Sequence, residues 1–377
     1  MTPPHALLVI SSLGRGGAER VICELASALG EQGLTVTLLT LDDSKDDYYP
    51  LSPKVERKCS NIMWESNGLF SRLSSATKRL WRMRTVVKSS QPDIVISFID
   101  TTNIRTLLAL VGSGIPIIVS ERTDPRHHEI GRFWRALRRI SYPLAARVVV
   151  QTPQVAAWAK AAIPSAKIET IPNAVRLFPT DTQRERPAAM PPGRIVLGIG
   201  RLGTEKGFDR LLYAFAASTL RESNWSVVIL GEGSEREPLT RLAEELGIAD
   251  KLVLAGMQLQ PEKWLIYADL FVLSSRYEGF PNVLIEAMQS GVPSIAFDCQ
   301  SGPADIIHHG VDGWLVPNDN IEALSDALTK LSNDNALRAQ LGQAAKSIAD
   351  RLSPQIVYRH WGDLCHSLIR YRRLRLR

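Results

Sequence analysis

Residues 276–288 read RYEGFPNVLIEAM, and they place two carboxylates, Glu278 and Glu286, on either side of a turn-forming cluster. That cluster consists of Gly279, Phe280, Pro281 and Asn282. Glycine, proline and asparagine favour turns, and the apolar run after them favours a helix with Asn282 at its N-cap. Glu278 is therefore predicted on a loop, and Glu286 one turn into a helix. Because loop amides and a helix N-terminus attract anions, the pair suits a ligand with phosphates in its middle and hydroxyls at both ends, such as a nucleotide sugar.

The same stretch carries a resemblance to a known family. Two glutamates at this spacing are more often a surface carboxylate and a helix carboxylate that share no ligand. The motif Glu-Gly-Phe-Pro-Asn at residues 278–282, however, resembles the signature of retaining glycosyltransferases of family 4. The resemblance implies the GT-B fold, an α/β fold of two doubly wound Rossmann-like domains that face a central cleft. It also implies that Glu278 approaches the transferred sugar and that Glu286 binds the ribose hydroxyls.

Length and proline distribution predict how the chain divides. At 377 residues the chain exceeds the size at which one hydrophobic core stops growing, so two domains are expected. A proline-rich polar segment marks a linker at residues 178–193. The predicted parts are then an acceptor-binding domain at 1–177, a donor-nucleotide-binding domain at 194–350, and a C-terminal helix at 351–377 that crosses back to the first domain.

Composition argues against a secreted or membrane-spanning protein. No run of about 18 uncharged apolar residues occurs, and the N-terminus lacks the basic segment and cleavage site of a signal peptide. The four cysteines are scattered without metal-ligand spacing, which is typical of reduced thiols. These features predict a cytoplasmic protein.

Basic charge is concentrated in the first half of the chain. Through Thr180 there are 23 Lys and Arg against 15 Asp and Glu, and beyond it 22 against 24. This asymmetry predicts a polyanionic partner, either a membrane or a nucleic acid.

Two basic stretches, 69–88 and 133–144, account for much of this charge, and each has apolar residues at helical spacing. The apolar stripe of the first is predicted at Leu69, Leu73, Ala76, Leu80, Met83 and Val87, and that of the second at Phe133, Leu137, Ile140 and Leu144. The opposing basic residues are Arg72, Lys78, Arg79 and Arg82 in the first stretch, and Arg135, Arg138 and Arg139 in the second. These stretches are either ordinary helices with solvated charged faces, or surfaces that contact anionic lipid or the pyrophosphate of an acceptor.

The N-terminus predicts a β-loop-α-β unit with a glycine-rich loop. A strand at Ala6–Ile10 leads through that loop to a helix at Ala18–Leu29 and a second strand at Thr35–Thr40. Gly16 and Gly17 stand at the helix N-terminus, where phosphate binds in such units, although the pair alone is equally compatible with a tight turn. The larger Gly-Gly-Ala-Glu-Arg match resembles the family loop that lies under the donor diphosphate.

Polar residues follow the next two predicted strands, Asp93–Phe98 and Ile115–Ser120. In open α/β sheets the carboxyl ends of the strands form the binding edge. The candidates there are Asp100, Asn103, Glu121 and Arg122, and the runs that contain them resemble transferases that extend lipid-linked glycans, including those of bacterial N-glycan assembly. Some relatives carry His in place of Arg122. Since Arg cannot act as a base, it is expected to stabilise charge or to form a structural pair with Glu121.

The second half begins another βαβ series with a loop that offers two interpretations. Residues 198–203 fit the G-x-G-x-x-G pattern of nicotinamide-dinucleotide sites, with Glu222 about twenty residues on. The pattern lies mid-chain, however, and Arg201 and Lys206 add two cations that suit a terminal diphosphate leaving group. The loop resembles the donor phosphate-binding loop of the family, and Met257, after a later strand, is a candidate contact for the base.

The chemistry expected from these residues uses no cofactor. The chain has no Asp-x-Asp and no His/Cys/Asp cluster with metal spacing, so Arg201, Lys206 and helix N-termini are expected to meet the leaving-group charge. The resemblance implies a retaining hexosyltransferase that takes a UDP-sugar as donor and a polyprenyl-diphosphate-linked glycan as acceptor. With the basic stretches, it predicts a protein that binds anionic lipid peripherally on the cytoplasmic face of the inner membrane. Nucleic acid is not expected as a partner. Three alternatives stay open: a GDP-mannose-dependent mannosyltransferase of the same fold, an NAD-dependent dehydrogenase, and a non-catalytic membrane-binding or nucleic-acid-binding protein.

Overall fold

The structure, a computed structural model, describes residues 3–43, 47–61, 69–176, 178 and 185–375, apart from the side chains of 69–76. The chain forms two compact units. Unit 1 consists of Met1–Asn173 with Pro354–Arg377, and unit 2 consists of Ala174–Ser353. The predicted linker at 178–193 falls in unit 2, and its residues 179–184 lie outside the described ranges.

Unit 1 is built on a seven-stranded parallel sheet. Its strands are β1 His5–Ile10, β2 Thr35–Thr40, β3 Val55–Cys59, β4 Ile94–Phe98, β5 Ile117–Ser120, β6 Arg147–Val150 and β7 Ile168–Thr170. They pair in the order β3-β2-β1-β4-β5-β6-β7. This order reverses between β1 and β4, which makes the carboxyl edge there the expected ligand-binding position of a doubly wound sheet.

The helices of the first part of unit 1 connect these strands. They are α1 Gly17–Glu31, α2 Leu69–Ser89, α3 Asp100–Ala109, α4 Gly131–Ser141 with a 3-10 turn at Tyr142–Leu144, and α5 Pro153–Ala162. Helix α3 packs against both α2 and α4.

Unit 2 repeats the same architecture with six parallel strands. They are β8 Arg194–Ile199, β9 Trp225–Leu230, β10 Leu252–Gly256, β11 Leu270–Leu273, β12 Ser294–Asp298 and β13 Trp314–Pro317. The order β10-β9-β8-β11-β12-β13 is that of a dinucleotide-binding sheet, with the reversal between β8 and β11. The connecting helices are α6 Phe208–Ala217, α7 Arg236–Glu245, α8 Pro261–Leu265, α9 Asn282–Gln289, α10 Pro303–Ile306, α11 Ile321–Asn333, α12 Asn335–Ala345 and α13 Ile348–Arg351.

Both faces of the unit 2 sheet are buried, as the near-continuous apolar runs of its strands require. Along β8, Val196 packs in one core cluster while Ile195 and Leu197 pack in the other. Successive side chains of a strand point to opposite faces, so an alternating pattern would have left one face polar.

The chain then returns to unit 1 through its longest helix, α14 Pro354–Arg375. Trp361, 2% exposed, packs against Phe98 at the end of β4, with ring centroids 6.1 Å apart. Near its other end, Arg372 donates to the backbone carbonyls of Pro92 and Asp93, just before β4. None of the helices in the described ranges combines the length and apolar content that a membrane crossing requires.

Candidate functional site

Two loops of unit 2 meet at the point where the strand order reverses. The loop after β8 spans residues 200–207, and the loop after β11 spans residues 274–281. Ser274 Oγ donates to the Lys206 carbonyl at 2.9 Å, and the Arg276 amide donates to the Glu205 carbonyl at 2.9 Å. These bonds bring together the two stretches that the sequence singled out separately.

The central contact of this region is an ion pair between Lys206 and Glu278. Lys206 Nζ donates to Glu278 Oε1 at 2.7 Å, and Ser275 Oγ donates to the same oxygen at 2.6 Å. Glu278 is 8% exposed and the Lys206 side chain 22%, so the pair is mostly shielded from water yet reachable by a ligand. A cation beside a carboxylate can receive a phosphate and a sugar hydroxyl at neighbouring positions.

Glycines allow these loops to approach so closely. Gly207 has φ +61°, and a Cβ there would lie 2.2 Å from the Ser274 carbonyl oxygen. Gly231, after β9, has φ +145°, and its Cβ would lie 1.8 Å from the Gly200 carbonyl oxygen. Only glycine adopts such conformations without strain, so both positions fix the backbone of the 200–207 loop.

Glu286 lies inside α9, at the fifth residue of the helix, and is 2% exposed. The expected N-cap at Asn282 was wrong by one residue: Pro281 is the N-cap, and Asn282 is the first helical residue. Pro281 makes no side-chain cap, and its carbonyl accepts from the amides of Leu284 and Ile285 at 3.1 and 3.4 Å. Of the turn cluster, Phe280 anchors the loop in the core, and the Gly279 carbonyl accepts from Ser301 at 3.3 Å.

Two further predicted donor residues lie at the surface of unit 2. The Arg201 side chain is 75% exposed and pairs with Glu205 at 2.7 Å. Met257, just after β10, is 43% exposed. In the part of the chain that the structure describes, no group of three or more His, Cys, Asp or Glu side chains is placed to hold a metal ion.

Sequence reasoning missed the role of Arg276. Its guanidinium binds Asp209 at 2.6 and 2.9 Å and the Thr204 carbonyl at 2.6 Å, and so it ties the second loop to the first. The signal was present in the sequence, because Arg276 begins the Glu278 stretch and Asp209 lies in the first turn of α6. Their pairing depends on a contact between strands that are not consecutive.

In unit 1 the glycine-rich loop leads into α1 as predicted. Gly16 is the N-cap and Gly17 the first residue of the helix. Gly16 has no side chain with which to cap the helix, and the Glu19 carboxylate lies against this terminus and accepts from its own backbone amide. The arrangement is the helix N-terminus that anions favour.

The end of β4 holds Asp100 in an unusual backbone environment. Ile99, immediately before it, has φ +73°, a strained conformation for a β-branched residue. Asp100 begins α3 and is 3% exposed, and its Oδ2 lies 3.3 Å from Nε2 of the half-exposed His128. Strain of this kind concentrates at functional sites, and here it orients an acidic side chain at the reversal point of the sheet.

Glu121 lies in a buried polar cluster at the same edge. Tyr142 Oη donates to its Oε1 at 2.5 Å, and Arg138 lies 3.5 Å from the same oxygen. Asn103, fully buried, donates to the Ser120 carbonyl at 2.9 Å and contacts Tyr142 Oη at 3.3 Å. Burial raises the pKa of Glu121 to about 7, so this carboxyl takes up a proton near neutral pH.

Of the two expectations for Arg122, the structural pair with Glu121 was wrong, and charge stabilisation stays a prediction. Arg122 donates to Asn173 Oδ1 at 2.6 Å and stacks 4.5 Å above the Phe98 ring. Consecutive residues point in different directions at a strand end, so the cation beside Glu121 comes instead from α4, as Arg138. Burial lowers the pKa of Arg122 to about 10, which leaves it charged at neutral pH.

The apolar stripe of α2 belongs to the core of unit 1. Met83 and Val87 are fully buried there, and Leu80 packs against them. The side chains of residues 69–76, including the first half of the predicted stripe, lie outside the described set. Among the basic candidates, Lys78 and Arg82 are exposed, whereas Arg79 is half-buried.

Helix α4 is oriented differently from the prediction. Trp134 and Leu137 pack against the core, and Arg138 is buried at 4% exposure instead of lying on a solvated basic face. Phe133 and Ile140, which would face the core if the predicted stripe were that of an ordinary packed helix, are each 69% exposed. The exposed face of α4 therefore mixes large apolar side chains with the arginines 132, 135 and 139.

Two family models match the chain, one in the sequence of each unit. The model of Glycosyltransferase Family 4 matches residues 15–177, and the model of Glycosyl transferases group 1 matches residues 179–348.

Among characterised relatives, the chain is similar to enzymes of glycan assembly. It is 30% identical to the GalNAc-α-(1→4)-GalNAc-α-(1→3)-diNAcBac-PP-undecaprenol α-1,4-N-acetyl-D-galactosaminyltransferase of Campylobacter jejuni, over 90% of this chain and 91% of that one. It is 28% identical to the amylovoran biosynthesis glycosyltransferase AmsD of Erwinia amylovora, over 95% and 98%. A match to an exopolysaccharide phosphotransferase of Streptomyces coelicolor, 32% identical, spans 60% of this chain and only 24% of that protein.

Solved structures share the fold at low identity. Sucrose-phosphate synthase from Thermosynechococcus elongatus superposes with a TM-score of 0.82 at 18% identity, over 98% of this chain and 100% of that one. TarM of Staphylococcus aureus, solved with UDP, superposes with a TM-score of 0.77 at 16% identity, over 96% and 99%.

Proposed function

The chain belongs to glycosyltransferase family 4, has the GT-B fold, and we propose on that premise that it transfers a hexose or an N-acetylhexosamine from a UDP-sugar to a polyprenyl-diphosphate-linked glycan, with retention of anomeric configuration. A glycosyltransferase of lipid-linked glycan or polysaccharide assembly is the broader activity that the family and the relatives support. The UDP bound in TarM supports the choice of nucleotide. The family match supports the interpretation of residues 198–203 as a donor phosphate-binding loop over that of a nicotinamide site.

The Lys206–Glu278 ion pair carries this proposal. In the reaction, the bond between the anomeric carbon and the diphosphate oxygen breaks, and the acceptor oxygen bonds to that carbon from the same face. The acceptor proton passes to the leaving phosphate oxygen. Lys206, held 2.7 Å from Glu278, is placed to neutralise the charge that develops on the diphosphate, with the exposed Arg201 as a second cation. Glu278 then orients the sugar, and Glu286 binds the ribose hydroxyls.

The reaction is proposed to need no divalent metal. The reason is that Lys206, Arg201 and the positive end of the α9 dipole supply positive charge where the diphosphate would lie. Turnover should persist in excess EDTA. Loss of turnover in EDTA with recovery on adding Mg²⁺ or Mn²⁺ would show that a metal is required.

The donor and the stereochemistry can be tested together. Purified protein is incubated with each of several UDP-sugars and with GDP-mannose, using a synthetic polyprenyl-diphosphate-linked saccharide as acceptor. Transfer from a UDP-sugar should give an α-linked product, identified by the anomeric coupling in its NMR spectrum. Transfer from GDP-mannose alone would replace the proposal by the mannosyltransferase alternative, and absence of transfer from every donor would reject it.

Contact with an anionic membrane surface is a second part of the proposal. The observation that supports it is the exposed face of α4, where Phe133 and Ile140 stand among arginines. Apolar side chains enter the interface while arginines bind lipid phosphates, each worth about 1 kcal/mol near an anionic surface. This contact would place the protein peripherally on the cytoplasmic face of the inner membrane, where its acceptor is anchored.

Vesicle sedimentation separates this contact from acceptor binding. Phe133→Ser with Ile140→Ser, and Arg135→Gln with Arg139→Gln, should each weaken binding to anionic vesicles, and added salt should mimic only the second pair. The same assay on Lys78→Gln, Arg79→Gln and Arg82→Gln tests α2. Val311→Ser, at a site 59% exposed in unit 2, is the matched control. Activity on a water-soluble acceptor should survive; an equal loss of that activity would mean that these residues bind acceptor instead.

A further inference from the structure

A cationic groove lies at the edge of the unit 1 sheet that is opposite to Asp100 and Glu121. Its walls come from residues at or just before the starts of β5, β6 and β7, at 114–116, 146–147 and 167, and from the last turns of α14. These are the amino ends of parallel strands, and the polar residues described above follow the carboxyl ends. Since β5 has four residues, the two edges are roughly 13 Å apart. We refer to this cavity as the amino-edge groove.

Four basic side chains from three parts of the chain line the amino-edge groove: Arg147, Lys167, Arg372 and Arg375. None of the described residues in its lining carries a carboxylate. Arg147 has a distant partner in Glu169 at 3.9 Å, and Arg375 stacks on the Tyr371 ring at 4.8 Å. Within the described residues, Lys167, Arg372 and Arg375 have no carboxylate within ion-pair distance.

Arg372 is the fixed cation of the set. Its guanidinium is held by the carbonyls of Pro92 and Asp93, each at 3.1 Å, so its position is set by backbone. It also borders a second groove of about 420 Å³ that continues the first towards Lys88 and Arg373. A helix C-terminus favours basic side chains, which accounts for arginines on α14. It does not account for Arg147 and Lys167, which reach the same groove from the starts of two strands.

The remaining wall of the amino-edge groove is apolar. Ile115, Pro116, Leu368 and the half-exposed Tyr371 face a cavity of about 680 Å³, which is within the range of small-molecule sites of about 300–1,000 Å³. A free phosphate would leave this wall unused, whereas a phosphate attached to an apolar body would use both sides. Cations at the rim bind phosphate oxygens by charge-assisted hydrogen bonds.

From this combination we propose that the amino-edge groove binds the phosphate headgroup of an anionic phospholipid, with the glycerol and the first methylenes against the apolar wall. The site is separate from the donor residues of unit 2 and from the polar residues at the carboxyl edge of unit 1. It binds a single lipid by shape and charge, in contrast to the broad surface of α4.

A soluble short-chain lipid tests the proposal without a membrane. Dihexanoyl phosphatidylglycerol, kept below its micelle concentration, is titrated into the full chain by calorimetry, with saturating UDP present to occupy the donor site. Binding should be about tenfold or more tighter than that of dihexanoyl phosphatidylcholine or of inorganic phosphate. Lys167→Gln combined with Arg375→Gln should weaken it by about tenfold or more.

The control variant combines Lys160→Gln with Arg370→Gln, two exposed cations on α5 and α14 that lie outside the groove. It should bind the lipid like the unaltered chain, and Ile115→Ser, in the apolar wall, should weaken lipid binding while leaving phosphate binding unchanged. Inorganic phosphate that binds as tightly as the lipid would overturn the proposal, because the apolar wall would then have no role. Equal binding by the Lys167/Arg375 variant and the control variant would also overturn it.

Discussion

At the residue scale, Lys206 and Glu286 are expected to act on different steps. Lys206→Ala removes the cation that meets the leaving diphosphate, so kcat should fall by about a hundredfold or more. Glu286→Ala removes a ribose contact, so donor KM should rise. Steady-state kinetics on both variants checks this, with Arg241→Ala, at an exposed position of α7, as the control. Equal and pure KM effects from both would contradict the assignments.

A second residue-scale prediction concerns the pH dependence of stability. Burial raises the pKa of Glu121 to about 7, so between about pH 4.5 and 7 the unfolded chain ionises while the folded chain keeps the proton. The free energy of unfolding attributable to this group should therefore fall as pH rises through that window, by roughly 2–3 kcal/mol. Glu121→Gln keeps an acceptor for Tyr142 and should remove the fall. Urea denaturation at pH 5 and pH 8 measures it.

The exposed Glu129→Gln serves as the control for this measurement and should leave the pH profile unchanged. A Glu121→Gln variant whose stability still falls by the same amount between the two pH values would show that other groups cause the dependence.

Residue-level contacts mark the limit of what the sequence could predict. The stretch around Glu278 and the Lys206 loop were each identified by residue type and spacing, but their 2.7 Å contact follows only from the pairing of β8 with β11. Helical periodicity also could not reveal that Arg138 is buried, because its partner Glu121 lies on another element. The prediction that Arg138 lies on a solvated basic face was therefore wrong, and of the two alternatives for the stripe, core packing does not hold for Phe133 and Ile140.

At the element scale, the loop after β9 is expected to control the shape of the donor loop. Gly231→Ala places a Cβ 1.8 Å from the Gly200 carbonyl at a φ of +145°, so it should cost roughly 2 kcal/mol or more and weaken donor binding. Gly310→Ala is the matched control, since its φ is +74° and nothing lies within 4 Å; it should cost about 1 kcal/mol. Denaturation and UDP titration report both effects. A Gly231 variant that behaves like the control would mean that the loops move apart freely.

In unit 1, strands were predicted well where they are buried and poorly at the sheet edges. The strand Thr35–Thr40 was predicted at the bounds observed, and the strand predicted at Ala6–Ile10 begins one residue earlier, because apolar runs between turns are unambiguous. The edge strands β3 and β7 were missed. Val55–Cys59 carries three charged residues and Ile168–Thr170 is very short, so neither offers an apolar run.

At the scale of the whole molecule, α14 is expected to stabilise unit 1 specifically. Trp361→Ala removes a side chain that is 2% exposed and packed on Phe98, so it should cost roughly 3–5 kcal/mol. Hydrogen exchange followed by mass spectrometry should show faster exchange in β4 and α14. Trp264→Ala, at a site 3% exposed in unit 2, should act on unit 2 instead. If Trp361→Ala speeds exchange equally in both units, α14 is not a part of unit 1 alone.

The return of α14 to unit 1 has a consequence for synthesis on the ribosome. The chain emerges from its amino end, so all strands of unit 1 leave the ribosome before unit 2, yet the helix that covers Phe98 emerges after it. Unit 2 is one continuous segment, Ala174–Ser353, and can complete its fold as soon as that segment is free. Unit 1 therefore begins to emerge first but completes its fold after unit 2. Until α14 has emerged, the nascent sheet of unit 1 has an uncovered apolar surface at Phe98. We expect a ribosome-associated chaperone to shield this surface during translation.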